Sequence, residues 1–162
     1  MTWFYNNIEF TQEDVETYYG FVYLIENLTT GKKYIGRKFF TKSGTQQIKG
    51  KKKKIRKQSD WMTYWSSSDE VKKDVQQYGK ENFKRTILHL CKTRAPCSYF
   101  ETYEIFTRNA LLSEEYYNSW VSCKIHRAHL KGIICPENNL QIMSLKDKQP
   151  RPIKHLKSEL MT

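Results

Sequence analysis

Tyr23 and Tyr34, eleven positions apart, are the pair in this chain whose type and spacing suit chemistry. They lie in Gly20 to Arg37, GFVYLIENLTTGKKYIGR. There Phe21 to Ile25 is an aromatic and β-branched run, Tyr34 and Ile35 begin a second, and Thr29, Thr30 and Gly31 stand between them, which predicts a β-hairpin. Alternation puts Phe21, Tyr23 and Ile25 on one face and Val22, Leu24 and Glu26 on the other. The two phenols then meet across the strands, with Cβ atoms about 5 Å apart if opposed and about 7 Å apart on the diagonal. Gly36 lets backbone or substrate approach closely. A phenol titrates near pH 10, so it accepts a proton near neutrality only when cations lower that value, and Arg37, Lys38 and Arg56 are the available cations. Arginine also clamps a phosphate in bidentate fashion, which lysine does less well.

The elements that must hold this pair follow in order. Residues 1–19 combine Trp3, Phe4 and Tyr5 with a helix start at Thr11-Gln12-Glu13-Asp14, which predicts a short lid over the hairpin. Arg37 to Gln58 is polar and aperiodic, with the run KGKKKKIRK at 49–57, and reads as a long basic loop that adds salt-sensitive affinity for phosphates. Trp61, Tyr64 and Trp65 are expected in the core. Ser68 caps a helix that Gly79 ends, with Val71 and Val75 facing inward. Asn82 to Cys91 alternates as a third strand, and a helix follows over Cys97–Leu112 with Phe100, Tyr103, Ile105 and Phe106 on its stripe and Glu101 and Glu104 one turn apart. A last helix is expected over Trp120–Leu130, carrying Lys124, His126, Arg127 and His129. Residues 133–162 read as an extended basic tail.

Composition bounds the function. The chain has 162 residues, enough for one domain that buries about 70% of its unfolded surface. A net charge of +11 points to a polyanionic partner, by default nucleic acid, and eleven tyrosines suit contact with sugars or bases. Cys91, Cys97, Cys123 and Cys135 show no CxxC spacing and no zinc-site cluster, so they read as reduced thiols. No apolar run nears the ~20 residues of a membrane span and no leader pattern opens the chain, so a reducing cytoplasm is the expected location, with no membrane partner.

On these residues the chain resembles the GIY-YIG nucleases, whose two signature tripeptides lie on the two strands of one hairpin. Tyr34-Ile35-Gly36 is an intact second tripeptide. The first stands as Phe21-Val22-Tyr23, with its glycine one residue early at Gly20. YIGRK, SDW, YWSSS, the step from Gly79 to Phe83 and YYN resemble the free-standing phage homing endonucleases of this family. The resemblance covers about residues 20–118. It implies an α+β fold with a small three-stranded antiparallel sheet flanked by helices, within a nuclease domain over 20–132. It further implies a metal-dependent endonuclease that makes breaks in double-stranded DNA, as a monomer or a homodimer.

The resemblance also implies roles. Glu101 is the metal ligand on the helix after strand three, with Glu104 as the competing acid close enough to share one ion. Magnesium suits so sparse an oxygen site. Asn118 holds the site's geometry, its plainer reading being a helix N-cap. Tyr23 is the expected general base, with Tyr34 orienting the water or acting in its place. Arg56 is the expected phosphate clamp, with Arg37 in reserve. Lys38, Lys51, Lys52, Lys53, Lys54, Lys57, Lys124 and Arg127 are expected to touch DNA. Covalent attack by a tyrosine and a non-cutting, basic nucleic-acid-binding module are the rivals. The nuclease reading requires that Glu101 face the hairpin and that the phenols reach solvent.

Overall fold

Asn6 and Asn7 both take positive φ, 51° and 63°, the turn conformation that joins antiparallel strands through two residues. They fold Trp3–Tyr5 (β1) back onto Ile8–Phe10 (β2), in a computed structural model that describes residues 2–48 and 50–133. The segment expected as a helical lid thus opens with a pair of short strands. Its helix start closes one 3-10 turn, Glu13–Val15, with the Asp14 carboxylate accepting from the Thr11 amide and hydroxyl at 2.7 and 2.8 Å. The chain divides into a unit of residues 1–130, which holds every named element, and a second over 131–162. The expected tail lies, beyond Ile133, outside the described residues.

The hairpin forms as expected, from Gly20–Asn27 (β3) and Lys33–Phe39 (β4). The stretch expected as a loop is instead a two-stranded antiparallel ribbon, Thr41–Ile48 (β5) and Lys51–Gln58 (β6). Gly50, at φ +74°, supplies the tight turn, and the lysines that masked any hydrophobic alternation are compatible with strands because neither face is buried. Then come Asp69–Tyr78 (α1), capped by Ser68 through the Val71 amide, Phe83–Cys91 (β7) and Arg94–Thr107 (α2).

The main sheet has five strands in the order β2-β1-β7-β3-β4, and it is mixed because β1 runs parallel to β7. This corrects the expected three-stranded antiparallel sheet, which survives as its β7-β3-β4 part. Strand β1 meets β7 only through Phe4 and Tyr5, too short a pairing for a period-two signal. The helix expected over Trp120–Leu130 is also absent; only a 3-10 turn at Arg127–Leu130 forms. Val121, Ser122 and Ile125 are weak helix formers, and none of the three is fully buried, so packing does not override that preference.

The alternation seen along β3 becomes two cores. Phe21, Tyr23 and Ile25 pack with Trp3, Phe40, Trp61 and the α1 residues Val71 and Val75. Val22, Leu24 and Ile35 pack with Cys91 and the α2 residues Cys97, Phe100 and Ile105. Arg85 on β7 is 2% exposed, with its guanidinium between the rings of Trp3 and Trp65 and Nη1 donating to the carbonyls of Met62 and Tyr64 at 3.1 and 3.0 Å. Burial pulls its pKa down to about 10. These bonds fix residues 61–65, which carry the chain to the side of the tyrosine pair.

Candidate active site

The register places Tyr23 opposite Gly36 and Ile25 opposite Tyr34, so the two phenols are diagonal neighbours with ring centroids 6.2 Å apart. Gly36 is what allows this. A Cβ there would sit 2.5 Å from the Tyr23 hydroxyl and 2.8 Å from Cε1 of Tyr34, closer than any side-chain atom tolerates. Both rings are packed across bare backbone.

The two phenols differ in access. Tyr23 is 0% exposed, its hydroxyl makes no hydrogen bond, and burial pushes its pKa well above the usual phenol range, with Tyr64 and Tyr34 adding to the shift. Tyr34 is half-buried, and its hydroxyl shares a 3.0 Å hydrogen bond with the Ser67 hydroxyl. Burial raises its pKa too, opposed by that bond and reinforced by the charges of Tyr64 and Glu101. Tyr34 opens onto a cleft of about 360 Å³ bounded by Ser67, Asp69, Asn118 and Trp120.

On the opposite face of β4, Arg37 forms an ion pair through Nη1 with Oε2 of Glu101 on α2. Burial pushes the Glu101 carboxyl above its ordinary range and the Arg37 charge opposes it. Strand β4 is the outermost described strand of its sheet, with Tyr34 on one face and the Arg37–Glu101 pair on the other. Glu101 therefore meets the hairpin through Arg37, on the face opposite Tyr34. Glu104 does not join it. It accepts from Nε of Arg108 at 2.7 Å, bonds His89 Nε2 at 2.6 Å, and these bonds outweigh burial and hold its pKa below the ordinary value. The expectation of one ion seeing both acids is corrected: each carboxylate is turned to its own cationic partner.

Asn118 closes the near end of the edge. Its Oδ1 accepts from the Ile35 amide at 2.9 Å and its Nδ2 donates to the Ile35 carbonyl at 2.8 Å, as a neighbouring strand would. The Lys33 amide donates to Glu115 and the Tyr117 amide to Lys33, both at 2.8 Å, so residues 115–118 line β4 up to Ile35. Residues 119–126 are not helical, so Asn118 is not an N-cap.

A family profile described as "Putative endonuclease segE, GIY-YIG domain" matches residues 3–121. The chain belongs to this GIY-YIG family. A relative named "Putative endonuclease segE", from Enterobacteria phage T4, is 34% identical over 100 residues, which are 62% of this chain and 40% of the relative. The chain thus aligns with less than half of that protein's length. No solved structure matches it.

Within this GIY-YIG domain the expected arginine is not the one beside the acid. Arg56 stands on β6, 4.8 Å from the ring centre of Tyr19, in a separate cleft with Lys38, Lys42 and Arg94, while the reserve, Arg37, meets Glu101. Lys38 is tied down, 2.8 Å from Asp60 and 3.7 Å over the ring of Tyr64. Lys51, Lys52, Lys53, Lys54 and Lys57 all lie exposed on β6, and Lys124 and Arg127 are exposed on the segment after Asn118. Ser67 and Asp69 were missed as neighbours of Tyr34. The only trace of them was a serine run just before a helix start.

Among the described residues no three His, Cys, Asp or Glu side chains converge as a metal cluster. The acid that the family resemblance points to, Glu101, is a half-buried carboxylate already sharing one oxygen with Arg37. One such carboxylate fits magnesium, which binds through one or two carboxylates and keeps several waters. Cys91, Cys97 and Cys123 are free thiols, and the hydrogen bond between Cys91 and Cys97 together with burial pushes Cys97 far up, away from thiolate.

Proposed function

We propose that this protein is a DNA endonuclease that hydrolyses phosphodiester bonds of double-stranded DNA with magnesium, at the open edge of β4. What supports this is one strand, β4, carrying Tyr34, half-open to a cleft on one face, and Arg37, paired with Glu101, on the other. The T4 relative's name, an endonuclease, points the same way. So does the +11 charge, which favours a polyanion.

Glu101 is the residue to hold the ion, which when bound neutralises charge at phosphorus and helps the 3′ oxygen leave. Arg37 keeps the Glu101 carboxylate aimed at the strand edge and, on its exposed side, offers further donors to a phosphate oxygen. Tyr34 takes over from Tyr23 the part of receiving a proton from the attacking water, because Tyr23 has no route to solvent. Its raised pKa means that it orients the water as a neutral phenol in the free protein and becomes a base only when local positive charge lowers that value. Asn118 fixes the Ile35 peptide and through it the direction of Tyr34 and Gly36. Homing-type double-strand breaks in a phage-infected bacterial cytoplasm fit this assignment.

The test is magnesium-dependent nicking and linearisation of supercoiled plasmid. Glu101→Ala should abolish cutting and leave duplex binding intact. Binding without cutting by the unaltered chain would leave the rival, a basic DNA-binding module, in its place.

A further inference from the structure

Thr41 to Gln58 carries eight Lys and Arg and no Asp, Glu or aromatic residue, within a chain of net charge +11. The ribbon these residues build is paired from Thr41↔Gln58 to Ile48↔Lys51, and no other described strand pairs with it. Among its described residues only Thr41, Gly44 and Ile55 are half-buried, and the rest are exposed. A two-stranded ribbon without a core is marginal by itself in water. Its root is nevertheless fixed: the Ser59 amide donates to Phe40 at 2.8 Å, the Phe40 amide to Tyr19 at 3.0 Å, and Phe40 is 2% exposed. With eight residues in each strand the ribbon reaches about 25 Å beyond that root.

Its two faces differ. The register puts Ser43, Thr45 and Gln47 on one face with Lys52, Lys54 and Arg56, an unbroken set of donors and acceptors. The other face has Ile48 and Ile55 among its lysines, and the Lys57 stem lies against Gly44, 3.3 Å from where a Cβ would stand.

We propose that the β5–β6 ribbon lies in the major groove of duplex DNA beside the cutting site and selects sequence, with Ser43, Thr45 and Gln47 turned to base edges. The duplex partner rests on the endonuclease reading. The major groove is about 12 Å wide and admits a two-stranded ribbon, and hydroxyl, amide and guanidinium groups read its edges. Lysines along the same strands neutralise the flanking phosphates, which positions the ribbon without specifying sequence. A plain phosphate clamp needs cations alone and has no use for a polar row in register with them. A single-strand platform needs aromatic rings, which the ribbon lacks. At the root, Lys42, Arg56 and Arg94 line a cleft of about 320 Å³ together with the Lys38–Asp60 ion pair, and its net positive charge suits a backbone phosphate of the same duplex.

The experiment uses the full chain and a pool of duplexes with a randomised centre, bound without divalent ions and sequenced after selection. The unaltered chain should enrich a subset at least about tenfold, a ratio within what one good base contact supplies. Thr45→Ala with Gln47→Ala should reduce that enrichment to below about twofold and leave the salt dependence of binding unchanged. Lys51→Gln with Lys53→Gln should keep the enrichment and lower the slope of log affinity against log salt by about 1.8, near 0.9 for each lost phosphate contact. Circular dichroism of each variant, unchanged, establishes that the fold is kept. Enrichment that survives Thr45→Ala with Gln47→Ala, or that is flat for the unaltered chain, overturns the proposal, as does preference for single strands. Flat enrichment with plasmid cutting intact sinks the ribbon alone. Ribbon-dependent enrichment without cutting sinks the nuclease reading and leaves the ribbon standing.

Discussion

Arg37 on β4 and Glu101 on α2 are joined by an ion pair that spans the seam between the sheet and its covering helix. The pair sets the charge of the Glu101 carboxylate. Burial favours its neutral form and the guanidinium favours its ionised form, with burial the stronger.

Removing the guanidinium therefore leaves burial unopposed. Arg37→Gln should raise the Glu101 pKa further, so the acid limb of the pH profile for single-turnover plasmid cleavage moves to higher pH. Because a carboxylate is needed, activity at a fixed mildly acidic pH should fall several-fold more than at alkaline pH. An acid limb that stays put would show that Glu101 does not report on the reaction.

The two tyrosines should separate cleanly. Tyr34→Phe removes the only phenol of the pair that reaches solvent and should lower the cleavage rate by about 10²–10⁴, the range for a lost acid–base group. Since the Tyr34 pKa lies above the ordinary value, the unaltered enzyme should gain rate with rising pH through neutrality. Tyr23→Phe deletes a buried hydroxyl that makes no hydrogen bond and should change stability by less than about 1 kcal/mol in urea unfolding. A larger cleavage defect in Tyr23→Phe than in Tyr34→Phe would reverse these roles.

Glu104 should matter to stability and not to cutting. Its folded-state pKa is depressed, so its contribution is present above the unfolded carboxylate pKa and is lost as pH falls through the folded value. Glu104→Gln should cost about 2 kcal/mol at neutral pH and flatten the decline of stability on acidification. Chemical unfolding at a series of pH values measures both effects.

Asn118→Ala should leave the Ile35 amide and carbonyl without partners and cost about 2 kcal/mol, read as a lowered unfolding midpoint. Cleavage should fall with it even under conditions where the variant is fully folded. Asn118→Asp keeps the acceptor but loses the donor, and should fall between the two proteins in stability.

Local chemistry made a good part of this protein legible in its residues. The hairpin, the facing of Phe21, Tyr23 and Ile25 against Val22 and Leu24, the Ser68 and Gly79 helix ends and strand β7 follow from alternation and capping, which act over a few residues. The tyrosine pair and Glu101 were legible as candidates because their spacing resembles a family pattern. The Asn6-Asn7 turn was also there to be read, as two residues that tolerate positive φ. Contacts between distant segments could not be read this way. Whether β1 joins β7, whether Glu101 meets Arg37 or Arg56, and which tyrosine keeps a path to water depend on chain segments 20 to 90 residues apart, and no local pattern encodes their relative position. The basic ribbon is the plainest case. Its residues have neither a hydrophobic period nor a core to face, so only the folded root at Tyr19, Phe40 and Ser59 decides that they stand out as paired strands.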